Sequence, residues 1–177
     1  MDTKTGREIL MKALNASVIS DITSKGFTGK WPHFRRSCNG YIELISFMTN
    51  KYGGSFTVEF SVAFPQSEDK NYTLYGKMTE ETLNVWATNN RYRVPGMFDG
   101  WFYYTDVYCL KQIIPFRGIK RWYYNTRKGE PLPDEDKGWR LVQKFDNDTA
   151  VSICKEIDKQ FEKGFKWMRR FERSHGF

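Results

Sequence analysis

The residues of this chain that can do acid, base or metal chemistry are few and widely separated. The histidines in the sequence are His33 and His175, and neither has a second metal ligand three or four residues after it. A histidine-based metal site or a serine-histidine dyad would therefore have to be assembled entirely by tertiary folding. Glu43, Glu59 and Asp106 fall on three different predicted strands, so a hydrolase whose carboxylates converge in the fold is one hypothesis. The sequence itself indicates no catalytic residue, no metal site and no cofactor.

Basic and aromatic residues cluster between positions 30 and 36, in the sequence KWPHFRR. Arg35 and Arg36 are the candidate binding residues here. Adjacent strand residues point to opposite faces of a sheet, so we expect one arginine near the covering helices and the other outside. For Arg36 the alternative is a cross-strand ion pair with Glu43, worth about 0.2–1 kcal/mol.

Aromatic residues are dense between Trp86 and Tyr124, where they are interleaved with arginine and lysine. Both faces of a strand cannot easily be core, so some of these rings should be exposed or line a groove. Such rings suit a protein partner, a base-stacking surface or a concave pocket. A sheet buried on both faces is the alternative. The candidate binding residues in this stretch are Trp101, Tyr103, Trp122 and Tyr124.

Three consecutive antiparallel strands are predicted between Trp31 and Phe64, and they form the scaffold. From Phe56 to Phe64 apolar and polar residues alternate, which predicts one face on a core and the other towards water. On this pattern Phe60 lies deep in the core.

The turn at Asn39-Gly40 is predicted to fix the register of the first hairpin. This dipeptide suits a type I′ turn, in which both central residues have positive φ. A two-residue loop there would place Arg36 opposite Glu43 and Phe34 opposite Ile45.

Helical periodicity marks both ends of the chain. A capping box at Thr5 to Glu8 and an apolar stripe predict a first helix from about Gly6 to about Ser24. A longer amphipathic pattern predicts a final helix through Ala150 to Phe171. Further strands are predicted at 71–76, 83–88, 101–110, 119–124 and 139–145. A helical turn from Thr79 to Val85 is the alternative to the strand at 83–88. The expected fold is α+β, an antiparallel meander of about five to seven strands with the N-terminal and C-terminal helices packed on one face.

The length, net charge and cysteine content of the chain limit which classes of protein it can belong to. With 177 residues and a mass of 21.0 kDa, we expect a single α+β domain over 1–177. The net charge of +7 permits anionic partners without requiring them. No signal-like segment and no apolar run long enough to span a bilayer is present, and the three cysteines are far apart, so we expect a cytoplasmic protein with reduced thiols and no membrane contact.

Several segments resemble a bacterial domain-of-unknown-function family, serial number 4304. They are Gly26-Phe27 through Phe34-Arg35-Arg36, the strand Tyr41 to Phe47, and the run Asn50 to Val58 with its Lys-Tyr-Gly turn. The resemblance covers about the first third of the chain and its closing amphipathic helix. It implies a bacterial, cytosolic protein with no established activity, and it assigns no catalytic residue.

These observations favour a non-enzymatic module, regulatory or immunity-like, that binds a protein partner through the aromatic middle and an exposed sheet face. Binding of nucleic acid through a basic and aromatic surface is the first alternative. The hydrolase with converging carboxylates is the second.

Overall fold

The computed structural model describes residues 2–64, 79–115, 117–126, 131–174 and 176. Three helices and nine strands are assigned within these residues, together with two short 3-10 turns at Val85–Ala87 and Glu135–Lys137. The predicted strand at 71–76 and His175 lie outside the described residues. In chain order the elements are α1 (Thr3–Ala16), α2 (Val18–Ser24), β1 (Thr28–Lys30), β2 (His33–Ser37), β3 (Ile42–Thr49), β4 (Ser55–Ala63), β5 (Arg91–Arg93), β6 (Phe102–Tyr103), β7 (Val107–Ile114), β8 (Gly118–Asn125), β9 (Trp139–Gln143) and α3 (Asn147–Ser174).

The N-terminal helix is longer than predicted and is broken. The carboxylate of Asp2 accepts hydrogen bonds from the Lys4 and Thr5 amides, so the cap lies at Asp2 and the predicted capping box at Thr5 is wrong. Ser17 leaves the helical region with φ −128° and ψ −83°, which separates α1 from α2. The predicted apolar stripe nevertheless continues across the break.

The large sheet is the predicted antiparallel meander. Its strands follow the order β1-β2-β3-β4-β5, and β6 pairs with the other end of β4. The first hairpin has the predicted register, with Arg36 opposite Glu43 and Phe34 opposite Ile45. Its turn is not type I′, because Gly40 has positive φ and Asn39 does not.

All three helices cover one face of this sheet, as predicted. Leu10, Ile22 and Phe161 belong to the same core cluster as Ile45 and Phe60. Phe60 is fully buried, as predicted, and the rings of Phe161 and Phe60 lie edge to face with centroids 5.1 Å apart.

The opposite face of β4 does not meet water, so the predicted two-sided alternation is wrong. Every residue from Ser55 to Ala63 is buried, including Glu59 at 2% exposure. The segment 83–88 covers part of this face, and Leu83, Val85 and Ala87 cluster there with apolar side chains of β3 and β4. The predicted strand at 83–88 is wrong, because this segment forms a 3-10 turn at Val85–Ala87. Asn84 caps the turn, and its side-chain oxygen accepts a hydrogen bond from the Trp86 amide.

A second sheet of three strands has the order β8-β7-β9. The single strand predicted at 101–110 is therefore wrong, because Phe102–Tyr103 pairs with β4 and Val107 opens β7. The chain turns between them at Asp106, whose carboxylate accepts the Phe145 amide at 2.7 Å. The predicted strands at 119–124 and 139–145 are present as β8 and β9.

Candidate functional site

One face of the three-stranded sheet collects apolar side chains from all three strands. Leu110 of β7 lies opposite Trp122 of β8 and Trp139 of β9, while Tyr108 lies opposite Tyr124 and Leu141. Cross-strand partners share a face. We call Leu110, Trp122, Tyr124, Trp139 and Leu141 the aromatic face.

The outer residues of the aromatic face are accessible to solvent. Trp122 is 44% exposed and Leu141 is 46% exposed, while the other three side chains are half-buried. The rings of Tyr124 and Trp139 meet edge to face with centroids 6.1 Å apart. Lys120 holds its ammonium 3.8 Å from the centre of the Trp122 ring, a cation–π contact.

The other face of the same sheet fixes how it is oriented. Val107 and Cys109 are buried there, and the ring of Tyr123 lies 5.4 Å from that of Phe98. The Gln143 side chain donates to the carbonyls of Tyr103 and Thr105 at 3.0 Å each. Because strand residues alternate between faces, the aromatic face turns away from these contacts with the large-sheet side of the molecule.

The four aromatic candidates divide into two places. Trp122 and Tyr124 lie together on the aromatic face. Tyr103 is 8% exposed in β6, and Trp101 is half-buried beside it in sequence. The guanidinium carbon of Arg93 lies 6.0 Å from the Trp101 ring centre, so Trp101 packs beside the large sheet.

Arg36 lies on the helix side of the large sheet and forms the ion pair that the sequence suggested. Its Nε lies 2.5 Å from the Glu43 carboxylate, and its Nη1 donates to the Lys25 carbonyl at 2.6 Å. The hydrogen bond to Glu43 raises the pKa of Arg36 further above its ordinary value. With both ends of its guanidinium engaged by the protein, Arg36 is suited to holding α2 against the hairpin.

The side chain of Glu172 in α3 lies beside the ion pair of Arg36 and Glu43. Its side chain is 7% exposed, and burial together with the neighbouring Glu43 carboxylate raises the pKa of Glu172 to about 6. Burial also raises the pKa of Tyr41 well above its ordinary value. This group of side chains carries one cation for two carboxyls, so a proton on Glu172 offsets their repulsion.

Arg35 points to the opposite face of the hairpin, as strand alternation requires. Its Nε donates to the Leu83 carbonyl at 3.3 Å, and its side chain lines a cavity of about 460 Å³ with Lys30, Trp31 and His33. The imidazole of His33 is held by Ser46, with Nδ1 and Oγ 2.9 Å apart. Burial, and next the Arg35 charge, lower the pKa of His33, which keeps the ring neutral at pH 7.

The carboxylates of the hydrolase hypothesis lie in three separate places. Glu43 sits under the helices. Glu59 sits on the opposite face of the large sheet, where Arg93 donates to it from Nη2 at 2.6 Å and from Nε at 2.8 Å. Asp106 caps the junction between the sheets. Within the described ranges, no group of three or more His, Cys, Asp or Glu is placed to hold a metal ion.

Sequence reasoning missed Leu110, Trp139 and Leu141 as members of the aromatic face. Trp139 and Leu141 are two residues apart in a predicted strand, so the sequence pattern places them on the same face. The pairing of β9 with β7 could not be predicted from the sequence. It depends on the turn of the chain at Asp106 and on a long connection before β9, and neither has a sequence signature.

Comparison with known proteins gives a family match over part of the chain. Residues 19–105 match the sequence model of the family described as Domain of unknown function (DUF4304), which confirms the resemblance inferred from the sequence. The match runs from α2 through β6 and includes the first part of the aromatic middle, which the resemblance had left out, while β7, β8, β9 and α3 lie beyond it. The searches of curated proteins and of solved structures gave no match. No helix in the described part of the chain is both long and apolar enough to cross a bilayer.

Proposed function

We propose that this protein is a non-enzymatic binding module of the bacterial cytosol, regulatory or immunity-like in role, that recognises a protein partner through the aromatic face. The observation that carries the proposal is the convergence of two tryptophans, a tyrosine and two leucines from three strands on one partly exposed sheet face. Tryptophan and tyrosine dominate binding hot spots, because each buries a large area while immobilising few torsions. Three free cysteines fit a reducing compartment.

The distribution of charge across the small sheet favours a protein partner over a nucleic acid. Lys120 shares the aromatic face, whereas Lys111 and Arg121 pair with each other on the opposite face. Arg140, opposite Cys109, shares that other face. The centre of a protein interface is depleted of charge, but a base-stacking platform needs cations along the same groove. The aromatic face has the first pattern.

Nucleic-acid binding is the second candidate, and one observation favours it. The β7–β8 hairpin, residues 107–125, carries Lys111, Arg117, Lys120 and Arg121 and no acidic residue. All four of these side chains are exposed. Such a hairpin attracts phosphates whatever its sequence specificity.

The test is capture of the partner from the protein's native cells, followed by titration of the purified complex with wild type and variants. We expect Trp122→Ala to weaken the complex by about 2 kcal/mol, roughly thirtyfold in Kd, as a hot-spot residue does. Tyr124→Ala should weaken it in the same direction. Isothermal titration calorimetry gives the dissociation constants.

Trp86→Ala is the matched control, because Trp86 is also 44% exposed but lies on the segment that covers the large sheet. It should leave the affinity within about twofold, as residues outside a hot spot do. A complex that survives Trp122→Ala, or that is lost equally in Trp86→Ala, contradicts the proposed surface. Circular dichroism confirms that each variant is folded.

A further inference from the structure

A cavity of about 460 Å³ lies beside the β1–β2 hairpin of the large sheet, and none of its lining residues belongs to the aromatic face. Its walls include Lys30, Trp31, Pro32, His33, Arg35 and Glu81. The volume falls in the range of roughly 300–1,000 Å³ that small-molecule sites occupy.

The register between β1 and β2 places the polar side chains of this cavity on one face of the β1–β2 hairpin. Lys30 of β1 lies directly opposite His33 of β2, and Thr28 lies opposite Arg35. Residues two apart on a strand share a face, so Lys30, His33 and Arg35 all point the same way. Their side chains therefore line the cavity as a set.

Among the residues that the structure describes, no carboxylate pairs with Arg35, in contrast to the other arginines of this sheet. Arg36 pairs with Glu43, and both Arg91 and Arg93 pair with Glu59. Arg35 is half-buried, and among the described residues its hydrogen bond is the one to the Leu83 carbonyl. A partly buried guanidinium with donors to spare attracts an anion, and its planar fork matches the oxygens of a phosphate or a carboxylate.

The remaining walls supply a second cation and an apolar side. Lys30 brings an ammonium, and Glu81 is the carboxylate among the lining residues. Trp31 and Pro32 form the apolar part, with the Trp31 ring held 4.7 Å from the Phe47 ring. His33 is fixed by Ser46 and by edge contact with Trp86, whose ring centre is 5.5 Å away. Two cations, a rigid imidazole and an apolar wall suit an anion that carries an organic group.

We propose that this cavity binds a small organic phosphate, with Arg35 and Lys30 holding the phosphate and Trp31 and Pro32 contacting the organic part. Lys30 and Arg35 outnumber the Glu81 carboxylate in the wall, and a phosphate has more oxygens than a carboxylate with which to accept hydrogen bonds from both cations. The inference goes beyond the protein-binding proposal, since it concerns a different sheet and different side chains. Either one stands if the other fails.

Phenyl phosphate is the probe, with benzoate and inorganic phosphate as comparison ligands at constant ionic strength. Two-dimensional NMR of isotopically labelled protein follows the backbone amides and the indole and guanidinium NH groups. We expect saturable shifts at Trp31, His33 and Arg35, and tighter binding of phenyl phosphate than of either comparison ligand. Arg35→Gln and Lys30→Gln should each weaken phenyl phosphate by about tenfold, as loss of one charge-assisted hydrogen bond does.

Lys163→Gln is the matched control, since it removes the same charge from an exposed position of α3. It should leave the affinity unchanged. Because Lys30 is exposed at the end of a strand, Lys30→Gln tests the site even if Arg35→Gln unfolds. Shifts scattered over the basic surface, equal binding of benzoate, or full affinity in Lys30→Gln would each overturn the proposal.

Discussion

The sequence predicted that one face of the large sheet is polar and exposed. In the structure the charged residues Glu43 and Glu59 of this sheet are buried. The predicted alternation placed Glu59 towards water, and Glu43 was the alternative partner of Arg36. Glu59 is 2% exposed and Glu43 is 3% exposed. Each is compensated by arginine, Glu59 by Arg93 and Glu43 by Arg36. A buried carboxylate that kept no partner would cost several kcal/mol, so these arginines are required by the fold.

The stability of the protein should depend on pH through Glu172, which lies beside Glu43 and Arg36. The raised pKa of Glu172 fixes the sign of this dependence. The folded-state pKa of about 6 exceeds the ordinary value of 4.5, so folding favours the protonated acid. The stability that Glu172 contributes is complete below pH 4.5 and is lost as pH rises through about 6. We expect Glu172→Gln, which mimics the neutral acid, to raise the unfolding free energy above pH 6 by about 1 kcal/mol relative to wild type. The difference between the two proteins should shrink toward pH 4.5.

Urea melts between pH 4.5 and 7.5 measure this difference. The control is Glu162→Gln, an exposed glutamate of the same helix, whose effect should not change with pH. Glu43, Tyr41, Cys38 and Arg36 surround Glu172 and are present in both proteins, so the comparison measures what the Glu172 carboxyl does in that setting. Parallel curves for wild type and Glu172→Gln would show that folding does not raise the pKa of Glu172.

At the scale of elements, α3 lies on β4 at a glycine. A Cβ added to Gly164 would fall 2.6 Å from a ring carbon of Phe60, closer than real contacts allow. Gly164 therefore lets the helix approach the sheet over the buried Phe60 ring. In the sequence this glycine indicates either a close contact or a bend in the helix, and choosing between them requires the partner strand to be known.

This contact makes an unusual prediction for Gly164→Ala. Alanine should add about 1 kcal/mol through helix propensity. Overpacking against Phe60 should cost about 1–3 kcal/mol. We expect a net loss of unfolding free energy, measured by urea denaturation.

A double-mutant cycle with Phe60→Leu separates the two effects. The smaller side chain relieves the clash, so Gly164→Ala should become neutral or stabilising in that background. Strict additivity of the two substitutions would mean that α3 does not rest on Phe60 as described.

Elements whose partners are local in sequence were predictable, and those whose partners are remote were not. The β2–β3 register was readable from the hairpin, and α3 from its own periodicity. The broken strand near Asp106 was not readable, because the aromatic and β-branched residues on both sides of the break have the same strand propensity. The alternation in β4 wrongly predicted an exposed face for a related reason. The segment that covers this face comes about twenty residues later in the chain. For the candidate site this meant that Trp122 and Tyr124 were found, while their neighbours on β9 were not.

On the scale of the whole molecule, the excess positive charge lies in at least two places. One is the β7–β8 hairpin, with Lys111, Arg117, Lys120 and Arg121. The other is the exposed side of the last turns of α3, with Lys166, Arg169, Arg170 and Arg173. Each group carries four positive charges in a protein whose net charge is +7, so each contributes strongly to the long-range field.

Two matched variants separate protein recognition from attraction of phosphates. Each replaces one of these groups of four basic residues by glutamine, so both lose the same charge. We expect wild type to bind a generic single strand no tighter than about 10 μM at physiological salt, with a log-log salt slope of about −0.7 per phosphate contacted. Both variants should weaken this binding to a similar extent, because non-specific attraction follows net charge.

The protein complex should respond differently, since its affinity is expected to come from rings rather than from charge. The α3 variant should keep its partner, and the hairpin variant should lose affinity chiefly through Lys120, which shares the aromatic face with Trp122. Fluorescence anisotropy with a labelled oligonucleotide and calorimetry with the protein partner give the two sets of affinities. Submicromolar binding of the oligonucleotide that disappears in the hairpin variant alone would make the hairpin a specific nucleic-acid site. In that outcome the aromatic face would be a stacking platform, and Trp122→Ala would weaken the oligonucleotide by about 1–3 kcal/mol instead of the protein partner.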